Sequence, residues 1–232
     1  MSTVALIGPD GAGKTTVAKR LLVDCPLPLR YLYMGMSIES SNVALPISRL
    51  AHRVKVAQHK RALKSTGQPV PSEIHLHGIE HRSDRRGRLA AVARLLRRVS
   101  EESYRQLVSW VYQWRGGVVL YDRHFLFDGL PRPSERTASY HRLTDRIHNW
   151  FLYWLYPRPD LVIVLDAPSE VLATRKHEVP AEYLEAERER LRAKLAYVGT
   201  WILVDATQPI DHVVAAVNRA IVEHHASETA NG

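Results

Sequence analysis

The stretch Gly8-Pro9-Asp10-Gly11-Ala12-Gly13-Lys14-Thr15 satisfies every fixed position of the pattern G-x-x-x-x-G-K-[S/T]. An apolar run, Thr3–Ile7, precedes it and a helix-forming run, Lys14–Val23, follows it. Glycines let the backbone turn tightly, so that successive N–H groups converge on one anion. The helix that starts near Lys14 adds the positive end of its dipole. Gly8, Asp10, Gly11, Ala12 and Gly13 are therefore expected to cradle a polyphosphate. Lys14 is expected to reach its β- and γ-phosphates, the Thr15 hydroxyl to ligate Mg²⁺, and Thr16 to contact the α-phosphate. The plainer reading, a glycine-rich turn that only joins strand to helix, leaves the match of both flanks unexplained.

The rest of the chain alternates in the same way, which predicts a parallel sheet covered by helices. Strands are expected at Thr3–Ile7, Arg30–Tyr33, Val118–Asp122, Leu161–Asp166 and Trp201–Asp205. Leu161–Leu165 is a continuous apolar run, as burial on both faces of a sheet requires. Helices are expected over Pro46–Lys64, Leu89–Trp114 and Ser139–Tyr156, then from Ser169, from Pro180 and over Ile210–His224. Gly67–Gly87 and the stretch around Pro131 and Pro133 read as loops. With 232 residues and no linker, one domain over 1–226 is expected, with a polar, disordered tail at 227–232.

Composition narrows the function classes. No apolar run approaches the ~20 residues that cross a bilayer, so no membrane role is expected. The N-terminus lacks the basic region of a secretory signal, and the single Cys25 excludes an internal disulfide framework, so a cytoplasmic protein is expected. The net charge of +8 fits either nucleic-acid binding or a polyphosphate-handling cleft. The phosphate loop already accounts for part of that excess, and nucleic acid is the minor reading.

Asp122 closes an apolar strand, and open α/β sheets gather ligand groups at such ends. It could hold Mg²⁺ or accept a proton from the acceptor, and Arg123 beside it suits a phosphate. A strand-end Asp that merely caps a turn is the plainer reading. Asp166 and Asp205 repeat the pattern, and a structural role is favoured for both. Arg175, with Lys176, is a candidate to neutralise transition-state charge. Arg188, Arg190 and Arg192 read as a solvated helix face with i,i+4 pairs. Seven arginines lie between Arg82 and Arg98, of which Arg82, Arg85 and Arg86 are candidates for an anionic acceptor. The His75, His77 and His81 spacing is weak as a metal signature. Trp150, Tyr153, Trp154 and Tyr156 read as packing a helix against the sheet.

Taken together these residues resemble the thymidylate kinase family. The phosphate loop with its internal Asp10, the Asp122-Arg123-His124 triplet, the run Pro159–Asp166 and the loop Asp205–Pro209 each have a counterpart there. The resemblance implies a P-loop three-layer α/β sandwich with a five-stranded parallel sheet and a small mobile lid. It also implies Mg-ATP as donor, Gln208 at the adenine edge, Lys14, Asp122, Arg123 and Arg175 as catalytic residues, and often a homodimer. A nucleoside monophosphate is the acceptor so implied. The departure lies after the second strand, where Tyr33-Met34-Gly35-Met36-Ser37 replaces that family's Arg-Glu-Pro-Gly-Gly-like segment. A nucleoside or sugar-like hydroxyl acceptor is the alternative, and a nucleic-acid-associated ATPase the remaining one.

Overall fold

The computed structural model describes residues 2–37, 40–65, 88–128, 139–176 and 179–231. Its centre is a five-stranded, all-parallel sheet formed by β1 (Thr3–Ile7), β2 (Leu29–Tyr33), β3 (Val118–Asp122), β4 (Leu161–Asp166) and β5 (Thr200–Asp205). The strand order is β2-β3-β1-β4-β5. Registers such as Leu6↔Asp122 and Leu6↔Ile163 bring the C-terminal ends of β1, β3 and β4 together. The chain order reverses direction around β1, and it is there that a doubly wound sheet opens a crevice.

Helices cover both faces. α1 (Lys14–Asp24), α6 (Ser169–Arg175) and α8 (Ile210–Asn231) lie on one side, where Val17, Leu21, Leu172 and Val217 meet Val4, Leu6, Leu120 and Ile163. α3 (Arg88–Trp114), the one-turn α4 (Phe125–Asp128) and α5 (Ser139–Trp154) lie on the other, against Ala5, Ile7, Val119 and Val162. α7 (Ala181–Leu195) contributes to both, through Leu184 on the first side and Leu191 and Leu195 on the second. α2 (Pro46–Ser65) completes the set. The strands β1 and β3 are buried at every position, so the apolar runs of the sequence are explained by cover on both faces. Each such Val, Leu or Ile contributes about 1.5–3 kcal/mol by leaving water.

Several expectations are adjusted. α4 follows β3 directly, where no helix was expected, because Phe125, Leu126 and Phe127 turn back into the core. α8 runs to Asn231 without the expected disordered tail, and Ser227 and Thr229 bond carbonyls one turn back along that helix. Trp150 and Trp154 face outward, 55% and 76% exposed, while His148, Leu152 and Tyr156 face inward. Helical spacing explains the split, since positions 148 and 152 form one stripe and 147, 150 and 154 the opposite one. A buried pair, His148 Nε2 to Glu102 at 2.7 Å, ties α5 to α3. The Gly67–Gly87 and Pro131–Pro133 loops, Arg82, Arg85, Arg86, His75, His77 and His81 lie outside the described residues. Among the described residues no helix is long and apolar enough to cross a membrane.

Candidate active site at the phosphate loop

The loop between β1 and α1 has the backbone that its glycines permit. A Cβ on Gly8 would come within 2.2 Å of the Leu165 carbonyl oxygen of β4, so no side chain fits there. Gly13, at the start of α1, takes the left-handed conformation at φ +86°. Lys14 is 6% exposed, and its ammonium donates to the carbonyls of Gly8 (2.8 Å) and Pro9 (2.7 Å). It is thus folded over the loop rather than extended into solvent. The Asp10 N–H donates to Glu187 Oε2 of α7 at 3.3 Å. The loop therefore already seats an anion, one supplied by the chain itself.

Asp10 links three elements. Arg123 donates to its Oδ1 at 2.9 Å and Lys176, just past α6, to its Oδ2 at 2.8 Å. Burial alone would raise the Asp10 carboxyl. The Lys176 hydrogen bond and the charges of Lys14, Arg123 and Lys176 outweigh it and hold the group well below the usual carboxylate range. Burial, with the Asp10 charge, pushes the Glu187 carboxyl up.

Asp122 is fully buried at the end of β3. Its Oδ2 accepts hydrogen bonds from the Thr15 hydroxyl (2.8 Å) and the Tyr31 hydroxyl (2.9 Å). Its Oδ1 has no partner among the described residues. A buried carboxylate oxygen left alone beside a threonine hydroxyl suits a hard cation, because Mg²⁺ takes one or two protein oxygens and completes its shell with water and phosphate. The residues present therefore fit Mg²⁺. Burial and the neighbouring Asp122 push the Tyr31 phenol well above its ordinary value, so it remains a donor.

Arg123 turns the chain sharply, at φ +68°, a conformation that a non-glycine residue adopts at a cost of about 1–3 kcal/mol. That turn sends Arg123 toward Asp10 and buries His124 behind it. His124 sits among Tyr121, Phe127 and Tyr156, accepts the Leu126 N–H through Nδ1, and faces the core rather than the cleft. Burial pushes its pKa down to about 3, so it is neutral.

Beyond Thr15 and Asp122 opens a cleft of about 530 Å³ between α1 and the open edge of β2. Lys19, Leu22, Tyr31, Tyr33, Asn42 and Arg123 form its walls, with Ser40 and Ser41 beside them. Asn42 acts as a substitute strand, taking the Tyr33 N–H and donating to the Tyr31 carbonyl. Beneath this wall lies Arg105 of α3, 1% exposed, which donates to the carbonyls of Gly35 (2.6 Å) and Tyr33 (3.3 Å) and to Glu101 (3.2 Å). Glu101 in turn accepts the Leu45 N–H. The pair fixes the segment around Tyr33–Gly35 that follows β2. No local pattern announces it, since Arg105 reads as one cation among many on a long helix.

The expected residues thus divide into two groups. Gly8, Asp10, Gly11, Ala12, Gly13, Lys14, Thr15, Asp122 and Arg123 surround one point, with Thr16 exposed on the first turn of α1. Arg175, at the end of α6, instead donates to the Ala206 carbonyl at 2.9 Å, and Gln208 bonds Asp205, so Arg175 props the loop after β5 in which Gln208 lies. The cation that reaches the phosphate loop from α6 is the next residue, Lys176. Arg188 is drawn off the expected solvated face, while Arg192 stays exposed, and both bond Asp166, Arg188 through Nε (2.7 Å) and Nη2 (3.0 Å), Arg192 at 2.9 Å.

No family model matches the chain, and no curated protein matches it. Solved structures of deoxyadenosine kinase from M. mycoides, one with the products dCMP and a flexible dCDP and one with dCTP, align with it at 13% identity and a TM-score of 0.47. Each alignment covers 95% of this chain and 99% of the other. A likeness this distant has no bearing on the substrate.

Proposed function

We propose that the chain is an ATP-dependent phosphotransferase that phosphorylates a small hydroxyl acceptor. The observation that carries this reading is the Thr15–Asp122 pair, with one carboxylate oxygen unpartnered among the described residues, at the foot of a complete phosphate loop. The triphosphate lies along Gly8–Thr16, its oxygens taking the loop N–H groups and displacing Glu187 from the Asp10 amide. Lys14 leaves the Gly8 and Pro9 carbonyls for the β- and γ-phosphates. Thr15 and Asp122 hold Mg²⁺, which, when bound, neutralises charge on the transferring phosphoryl oxygens. Arg123 and Lys176 stand on either side of the same point and offset the negative charge that builds as the phosphoryl group moves. Arg175 and Gln208 shape the loop at the adenine edge.

The acceptor occupies the cleft beside β2. Its described lining is hydroxyl-rich and aromatic, and of its two cations Arg123 is already bound to Asp10. A neutral acceptor such as a nucleoside or a sugar-like alcohol fits that lining better than a nucleoside monophosphate, whose dianion calls for guanidinium forks. Self-association over the exposed Trp110 and Trp114 of α3 and Trp150 and Trp154 of α5 belongs to the same proposal, and sedimentation velocity reads it directly.

ADP release from Mg-ATP, measured across nucleosides, sugars and nucleoside monophosphates, tests the reading. A neutral acceptor is expected to stimulate release, and Lys14→Ala is expected to lose about 10²–10³-fold of that rate while remaining folded. Stimulation by nucleoside monophosphates alone would reassign the acceptor. Full turnover in Lys14→Ala would remove the phosphate-loop assignment.

A further inference from the structure

We propose that Tyr31 is the positioning residue of the metal-side carboxylate: by holding Oδ2 of Asp122 it keeps Oδ1 available to a hydrated Mg²⁺. The inference rests on the phosphotransfer reading and adds to it a residue outside the phosphate loop and outside the Asp122-Arg123 turn. Tyr31 lies on β2, in register with Leu120 rather than with Asp122, which pairs with Tyr33. Only a long side chain spans that offset, and the phenol oxygen ends 2.9 Å from Asp122 Oδ2.

The geometry divides the work on one carboxylate. Oδ2 accepts two neutral hydroxyl donors, from elements 16 residues apart in sequence, Thr15 on α1 and Tyr31 on β2. Oδ1 accepts none among the described residues, although it is buried. With Thr15 alone, the carboxylate could rotate about its side-chain bonds and present either oxygen. Two donors on one oxygen, from different elements, restrict that freedom. Thr15 must also offer its own oxygen to the metal, so its hydrogen bond to Asp122 is the weaker constraint of the two. The Tyr31 hydroxyl has no such second duty. Partners that orient a metal ligand in this way typically govern affinity by about 10–100-fold.

Tyr31 also forms part of the cleft wall. Its ring borders the cleft beside Thr15 and Asp122, while its hydroxyl is held on the carboxylate. The Asn42 side chain, bonded to the Tyr31 carbonyl, holds the backbone from which the ring projects.

The test uses Mn²⁺ as the probe, with its binding to the full-length protein–ADP complex followed by electron paramagnetic resonance. Tyr31→Phe keeps the ring in place and deletes only the donor. It is expected to weaken Mn²⁺ about tenfold while metal-free ADP binding is unchanged. The Mg²⁺ concentration for half-maximal turnover is expected to rise by a similar factor. A residue that served only to satisfy a buried carboxylate would lower the melting temperature and leave Mn²⁺ affinity alone. If Tyr31→Phe binds Mn²⁺ like the parent while Thr15→Ala binds it at least tenfold more weakly, the positioning role is overturned and the phosphotransfer reading stands. If neither Thr15→Ala nor Asp122→Asn alters Mn²⁺ binding, the metal site itself is overturned, and the role of Tyr31 with it.

Discussion

Two strands of this sheet end alike and do different things. β3 reads Val-Val-Leu-Tyr-Asp and β4 reads Leu-Val-Ile-Val-Leu-Asp, each an apolar run closed by a carboxylate beside β1. Asp122, at the end of β3, meets two neutral hydroxyls and, among the described residues, keeps one oxygen alone. Asp166, at the end of β4, is gripped by the Arg188 fork and by Arg192. Burial alone would raise the Asp166 carboxyl, but those guanidinium hydrogen bonds prevail and lower it, while the same contact raises Arg188. A saturated carboxylate is a clamp, and an under-coordinated one is a ligand. The difference lies wholly in what other parts of the chain deliver: α7 supplies cations to one strand end, and α1 and β2 supply hydroxyls to the other.

The comparison can be broken most strongly at Asp122. Asp122→Asn keeps the shape of the side chain and removes the charge. It is expected to lower phosphoryl transfer by about 10³-fold, with the melting temperature within a few degrees of the parent. Steady-state kinetics beside a thermal melt check both halves. Asp166→Asn is expected to do the reverse. Arg188, only 13% exposed, loses the Asp166 charge and keeps only Glu185 among the described residues, at a cost of about 2 kcal/mol, a fall in melting temperature of roughly 4–8 °C, while kcat changes little.

A smaller and more graded effect comes from the residues behind the β3 turn. His124 has its pKa pushed by burial from an ordinary 6.5 down to about 3. The unfolded chain therefore takes up that proton first, and stability falls as pH drops below about 6.5, by up to about 1.4 kcal/mol per pH unit. Asp10 and Asp166 have depressed values, so their contribution is present above about pH 4 and is lost only below it. Just below pH 6.5 His124 sets the fall, and nearer pH 4.5 Glu187, whose raised carboxyl takes up a proton first in the folded state, opposes it. Urea titrations of His124→Asn across that window are expected to show a flatter slope than the parent. An equal slope would place the titrating group elsewhere.

What was legible in the sequence follows the same division. The phosphate loop is contiguous, so residues 8–15 carry their own turn, their own helix start and their own chemistry. Strands buried on both faces announce themselves as unbroken apolar runs, and all five were placed within a residue or two. Asp122 and Asp166, by contrast, could not be separated by pattern, because their partners come from sequence distances of 22 to 107 residues. Tyr31 looked like any strand tyrosine, and its role depends on where β3 places Asp122. Arg175 and Lys176 differ by one step at a helix end, and that step decides which of them turns toward Asp10 and which toward the Ala206 carbonyl. Arg188 and Arg192 fit an exposed i,i+4 pattern, yet both reach Asp166 at the end of β4, Arg188 largely buried and Arg192 still exposed. Arg105 was hidden for a similar reason: a helix 27 residues long offers many cations, and only the packed fold shows which one it buries.

The most direct test of the account is to give γ-labelled Mg-ATP and the acceptor panel to the parent, Asp122→Asn and Asp166→Asn proteins side by side and follow the label. Label appearing in a small phosphorylated product with the parent and Asp166→Asn, and not with Asp122→Asn, is the predicted result. Label released only as inorganic phosphate by the parent, or product formed equally well by Asp122→Asn, would contradict it.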